Sequence, residues 1–182
     1  DKYPQAIEVL SGAKSQGLIT SSEDYLQLAK LYANADKPAD AASTLKDGIA
    51  KGALQESLEV NRLLGDVCTQ AEDDACAIDA YTKASALATD GNVDYQLGYM
   101  LFYSDRGAEA KAALQRAIQR GGLKQEGEAF VLLGDIESYA GNDAAALAAW
   151  TKAEGFPSTK AMAAQRIKAI KAGVKLKRSG NK

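Results

Sequence analysis

Four leucine–small pairs recur along the chain: Leu28-Ala29, Leu64-Gly65, Leu97-Gly98 and Leu133-Gly134. The small residues stand 36, 33 and 36 positions apart. Twelve residues after each comes an alanine, Ala41, Ala77, Ala110 or Ala146. Four further on sits a large apolar residue, Leu45, Tyr81, Leu114 or Trp150, and three beyond that another small one, Gly48, Ala84, Ala117 or Ala153. A period of this length marks a repeat architecture, in which each unit buries its apolar face only against its neighbours. Turn residues fall midway in each unit, at 34–38, 72–74, 105–107 and 141–143, so each unit divides into two helices. Alanine is abundant and only three prolines occur, which suits helices over strands.

This pattern resembles the tetratricopeptide repeat, a pair of antiparallel helices in each unit of about 34 residues. The resemblance implies an all-α, right-handed superhelical solenoid of helix hairpins. Small residues on the first helix let the alanines of the second approach, and the large residue fills the gap toward the next hairpin. Full repeats are expected over 22–57, 58–90, 91–126 and 127–157. Residues 1–21 read as the second helix of a preceding, incomplete repeat, with Ala6, Leu10 and Ala13 on its packing face. Ser158 or Thr159 is placed to cap a terminal helix over 158–172, whose lysines and arginine suit a solvated outer face. A single solenoid over 1–172 and a basic, flexible tail over 173–182 complete the expected organisation. The chain begins at Asp1 without methionine and reads as a trimmed or mature product, starting inside a longer array.

A longer period overlays the first. GIAKGALQESLEVNRLLGD (48–66) aligns with AIQRGGLKQEGEAFVLLGD (117–135), so that Asp66 recurs as Asp135 after 69 residues. Glycine is expected to end the helix there, with leucine tucking back as an apolar plug at Leu54 and Leu123, and at Leu18 near the start.

Catalysis is disfavoured. Histidine is absent, which removes the usual general base and the commonest zinc ligand. No phosphate-binding glycine loop or calcium loop occurs, so neither a catalytic residue nor a cofactor or metal is expected. A net charge of −2 argues against a nucleic-acid partner, and no apolar run is long enough to span a membrane.

The only cysteines, Cys68 and Cys76, flank the turn of one expected hairpin. An intrahairpin disulfide, two unpaired thiols in a reducing compartment, and metal or redox chemistry are all readings of CTQAEDDAC. The last is weakest, because no further soft ligand lies near and the surrounding acids would raise a thiol pKa.

In tetratricopeptide proteins the first helix of each unit lines a concave groove. By resemblance, the groove residues here include Lys30, Glu59, Arg62, Asp66, Tyr95, Tyr99, Phe102, Tyr103, Glu128, Asp135 and Tyr139. Tyr95, Tyr99 and Phe102 form a helical stripe that Tyr103 extends, while the other units are mainly polar. The stripe is read either as packing against neighbouring helices or as a protein- or peptide-binding surface, with Arg62, Asp66 and Asp135 as polar orienters. The mixed signs of Lys30, Arg62, Glu59, Asp66, Glu128 and Asp135 depart from the basic clamp that some tetratricopeptide proteins use for a terminal carboxylate. The glycine–leucine connections further resemble tetratricopeptide proteins associated with TonB-type energy transduction in Gram-negative bacteria. That resemblance implies a periplasmic scaffold with TonB/ExbB-type partners. A cytoplasmic adaptor, or a purely architectural segment of a longer protein, is the alternative.

Overall fold

The computed structural model describes residues 3–174. They form ten α-helices and no strand: α1 (Tyr3–Ser15), α2 (Ser22–Asn34), α3 (Pro38–Ala50), α4 (Leu58–Gln70), α5 (Asp74–Leu87), α6 (Asn92–Tyr103), α7 (Gly107–Arg120), α8 (Glu126–Tyr139), α9 (Asp143–Ala153) and α10 (Lys160–Lys171). None of them is long and apolar enough to cross a membrane. The chain divides into two compact units, one ending at Ala88 and the other beginning at Thr89. The tail expected over 173–182 lies, from residue 175 onward, outside the described residues.

In the first unit α2 pairs with α3 and α4 with α5; α1 lies against α2, and α3 against α4. In the second, α6 pairs with α7 and α8 with α9; α7 packs on α8, and α10 covers α9. Every hairpin turns the same way, and the backbone shows why. Asp36, Glu72, Asp105 and Gly141 all have positive φ, at 57°, 56°, 63° and 80°. The amide two residues after each C-cap then donates back to a carbonyl of the last helical turn: Lys37 to Tyr32, Asp73 to Cys68, Arg106 to Leu101 and Asn142 to Glu137. These bonds occupy carbonyls that the helix end leaves unpaired, and the left-handed residue swings the chain into the next helix. Pro38 opens α3, where a missing donor costs nothing.

The small residues of the repeat are needed for a specific contact. A Cβ on Gly65 would fall 2.5 Å from Tyr81 Cε1, and one on Gly98 would fall 2.7 Å from Leu114 Cγ. At Gly134 it would collide with the Trp150 indole. The large residue therefore seats on the glycine of its own hairpin; the expected role of filling toward the next hairpin is not its principal one. Ala41, Ala77, Ala110 and Ala146 are fully buried in the helix interfaces.

Connections between hairpins differ from expectation at one end. Gly17, Gly52 and Gly121 do end helices with positive φ. Leu54 is buried and reaches the position that a Cβ on Gly48 would occupy. Leu123 is half-buried, whereas Leu18 is exposed and Ile19 is the plug. A one-residue offset after Gly17 decides which side chain faces inward. Likewise Ile7, rather than Ala6, Leu10 or Ala13, is the buried residue of α1. Thr159 precedes α10 but does not cap it: its hydroxyl donates to the Ala153 carbonyl at 2.7 Å and ties the linker to α9.

Candidate functional site

α6 carries the aromatic stripe, and its position in the second unit is set at its start. Gly91 donates to the Gly121 carbonyl at 2.8 Å, and any Cβ on Gly91 would run into the Ala117 carbonyl. Asn92 bridges to the same connection: its Nδ2 donates to the Gly122 carbonyl at 3.0 Å, and its Oδ1 accepts from the Lys124 amide at 3.1 Å. Within the first turn, Asp94 is fully buried and accepts from Arg116 Nε at 3.2 Å and Arg120 Nη1 at 2.6 Å. This acid locks α6 to α7. Its signal in the sequence is the pair of arginines four apart on the following helix, Arg116 and Arg120.

With α6 fixed, its stripe divides. Tyr95 and Phe102 are buried, 8% and 6% exposed, and belong to the core. Burial pushes the Tyr95 hydroxyl up to about 12, with the charge of Glu128 adding to the shift. Tyr99 and Tyr103 face outward, 39% and 48% exposed, with ring centroids 4.6 Å apart. Tyr139, at the end of α8 and 38% exposed, stacks on Phe102 at 6.2 Å. Phe102 also meets Tyr103 edge-on at 5.1 Å. The result is a patch of three accessible tyrosines around one buried phenylalanine. Burial raises the hydroxyls of Tyr103 and Tyr139, so both remain neutral donors at ordinary pH.

Asp135 lies beside this patch but is buried and already engaged. Its Oδ1 accepts from Trp150 Nε1 at 3.1 Å and from Arg166 Nε at 2.5 Å, and its Oδ2 accepts from Arg166 Nη2 at 2.8 Å. A two-pronged guanidinium–carboxylate pair of this kind is among the stronger charge-assisted contacts. Its geometry makes Asp135 the anchor of α10.

The first unit holds Arg62 and Asp66. Together with Lys30, Leu58, Glu59 and Leu63 they line an open cleft of about 510 Å³. Lys30 Nζ lies 3.3 Å from Glu59 Oε1, and Arg62 Nε 3.9 Å from Asp66 Oδ2. Asp66 Oδ1 accepts from the Tyr81 hydroxyl at 2.8 Å.

Also in this unit, Cys68 and Cys76 are joined as a disulfide across the α4–α5 turn, with Cα atoms 5.8 Å apart. That separation is the ordinary one for a disulfide. The Asp73 carboxylate is near both sulfurs, but it accepts from the Cys76 amide and faces Lys46. With the sulfurs bonded to each other, this trio has no thiolate to offer a metal.

Helix hairpins with small-on-large seating, a left-handed residue at every turn and 36-33-36 spacing define a tetratricopeptide-type fold. No family model matches the chain, and no curated protein sequence does. Solved structures do. YrrB, described as a TPR protein with an unusual peptide-binding site, superposes with a TM-score of 0.74 at 20% identity, covering 92% of this chain and 84% of its own. MamA gives 0.71 at 24% identity, covering 88% of this chain and 91% of its own. The C-terminal part of a TPR repeat-containing protein from Cytophaga hutchinsonii gives 0.72 at 18% identity, covering 94% and 67%. These likenesses establish the fold.

Proposed function

We propose that the chain is a protein-interaction scaffold that binds a peptide or helix of a partner and performs no chemistry of its own. The observation that carries this reading is the exposed trio Tyr99, Tyr103 and Tyr139 around Phe102. Tyrosine offers a large contact area with few rotatable bonds and a hydroxyl for a directed hydrogen bond, and it is enriched among residues that dominate binding energy. YrrB, a protein of the same fold described as having a peptide-binding site, supports the class of ligand. The test is capture of partners from an extract of the source cells by immobilised protein, compared with the Tyr99→Ala/Tyr103→Ala/Tyr139→Ala variant. Loss of a specific captured protein with unchanged helicity supports the reading. Equal capture by the variant defeats it and favours a purely architectural segment.

A second reading concerns location. The Cys68–Cys76 bridge favours an oxidising compartment, in keeping with a periplasmic protein. Association with a TonB-type system is the finer form of this proposal, and it rests on the connections at 48–66 and 117–135. Maleimide labelling of protein taken directly from cells tests the location. Two blocked cysteines support export, and two reactive ones return the protein to the cytoplasm.

A further inference from the structure

Asp66 and Asp135 occupy one position of the 69-residue period, and so do the residues that hold them, Tyr81 and Trp150. In each unit the ring donor fixes one carboxylate oxygen, Tyr81 at 2.8 Å and Trp150 at 3.1 Å. The second oxygen fares differently. In the second unit it receives Arg166, which closes a two-pronged pair. In the first, Oδ2 of Asp66 has Arg62 at 3.9 Å, beyond hydrogen-bonding distance, and the Asp66 side chain is 41% exposed to the cleft. We propose that this cleft receives an arginine side chain of a partner peptide, held on Asp66 as Arg166 is held on Asp135.

Charge and geometry both select this occupant. Every acid in the chain lies at or before Glu154, and the first 154 residues carry 24 acidic against 14 basic side chains. That field draws cationic segments. Near the cleft, Glu59 and Asp66 are balanced by Lys30 and Arg62, so net attraction alone does not define the site. What distinguishes it is a carboxylate oriented by Tyr81 with one oxygen open. A planar guanidinium can bond to such a group with two parallel N–H donors, whereas a lysine ammonium meets it as a point charge. Arg62, four residues before Asp66 on the same helix, is the competitor that an incoming arginine displaces.

The proposal rests on a peptide-binding role for the scaffold, but on a cleft separate from the tyrosine patch. The probe is fluorescein-labelled AAQRIKAIK, the segment 163–171 that already seats its arginine on such an aspartate. Binding to the full chain, with its disulfide intact, is followed by fluorescence anisotropy near 0.15 M salt. Asp66→Asn is expected to weaken binding at least about tenfold, because it keeps an acceptor for Tyr81 but removes the charge-assisted pair. Replacing the peptide arginine by lysine should weaken binding by a similar factor, and Arg62→Ala should tighten it. Asp66→Asn and wild type are compared by circular dichroism to establish equal folding. Equal affinity of the arginine and lysine peptides, or unchanged affinity in Asp66→Asn, overturns the proposal. The Tyr99→Ala/Tyr103→Ala/Tyr139→Ala variant should retain the arginine peptide. If peptide binding fails while tyrosine-dependent capture persists, the arginine site falls and the scaffold reading stands.

Discussion

Positions 25, 47 and 51 of the first unit correspond, 69 residues on, to 94, 116 and 120 of the second. The first unit places Tyr25, Asp47 and Lys51 there, and the second Asp94, Arg116 and Arg120. In the first, the buried position holds a phenol whose hydroxyl reaches Asp47 at 3.4 Å, and the acid stays near the surface with Lys51 at 3.0 Å and Lys14 at 3.6 Å. The Lys51 ammonium, with Lys14 adding to it, holds the Asp47 carboxyl below its usual range. In the second, the acid itself is buried and the cations come down to it. Only Asp47 to Arg116 reverses sign, and moving the acid inward to position 94 keeps the junction between the helices but changes its energetics. A half-exposed pair is screened by water and contributes little, while a buried acid must be satisfied completely or it opposes folding.

Removing each acid should break that symmetry. Asp94→Ala removes a fully buried carboxylate with its two charge-assisted bonds, while Arg116 and Arg120 can turn to water, and is expected to cost about 2–3 kcal/mol. Asp47→Ala should cost less than about 1 kcal/mol, since its carboxylate, unlike that of Asp94, already reaches water. Urea unfolding distinguishes them, and Trp150, the only tryptophan, reports on the second unit by fluorescence. Equal losses for the two variants would mean that burial of Asp94 carries no special weight.

The first unit has a covalent link that the second lacks, because the chain contains no further cysteines. Reduction, or Cys68→Ser/Cys76→Ser, reopens a short loop and should destabilise the first unit by about 2–3 kcal/mol on the chain-entropy account. The loss should appear in backbone circular dichroism while the Trp150 transition moves little. A Trp150 transition that shifts by the full amount would show that the two units unfold as one.

How these features could be read from the chain depends on their range. The hairpin period was legible because the seating of Tyr81 on Gly65 and Trp150 on Gly134 needs fixed residue types at fixed offsets. The turns at Asp36, Glu72 and Asp105 were legible for the same local reason. The division of the stripe was not. Tyr95 and Tyr99 lie one turn apart, and only the packing of α6 in the second unit sends one inward and the other outward. Leu18 and Ile19 show the same limit over a single residue. Asp135 read as a groove residue because its position in the period is right. Its partner Arg166 is 31 residues away on a helix that sequence reasoning treated only as a solvated cap.

That partner supplies the third contrast. Arg166→Gln breaks a two-pronged pair on a buried carboxylate and should cost about 2 kcal/mol, with α10 loosened. Arg62→Gln, at the exposed counterpart, should cost no more than about 0.5 kcal/mol. Hydrogen exchange localises the first effect: amides of α10 should lose protection while those of α8 keep it. Protected α10 amides in Arg166→Gln would show that its apolar contacts, with Ala163 at their centre, hold it unaided.

The smallest effects sharpen the comparison at the turns themselves. Asp36, Glu72 and Asp105 occupy a left-handed conformation where the fourth hairpin has Gly141. A side chain there costs on the order of 1–2 kcal/mol, less for aspartate, which bonds locally to its own turn. Replacement by glycine relieves that strain but gives the unfolded chain more freedom to lose. Glu72 is the informative position. It lacks the short side chain of aspartate, so its strain is greater. It also lies between Cys68 and Cys76, where the bridge already restricts the unfolded chain. Both differences favour the substitution, so Glu72→Gly should gain about 0.5–1 kcal/mol and Asp36→Gly near zero. Under reduction the gain at Glu72 should shrink, because the unfolded loop is then free to exploit the glycine. Gly141→Ala, the reverse change, should lose about 1 kcal/mol with either redox state. A gain at Glu72 that ignores the bridge would assign the whole effect to strain in the folded turn.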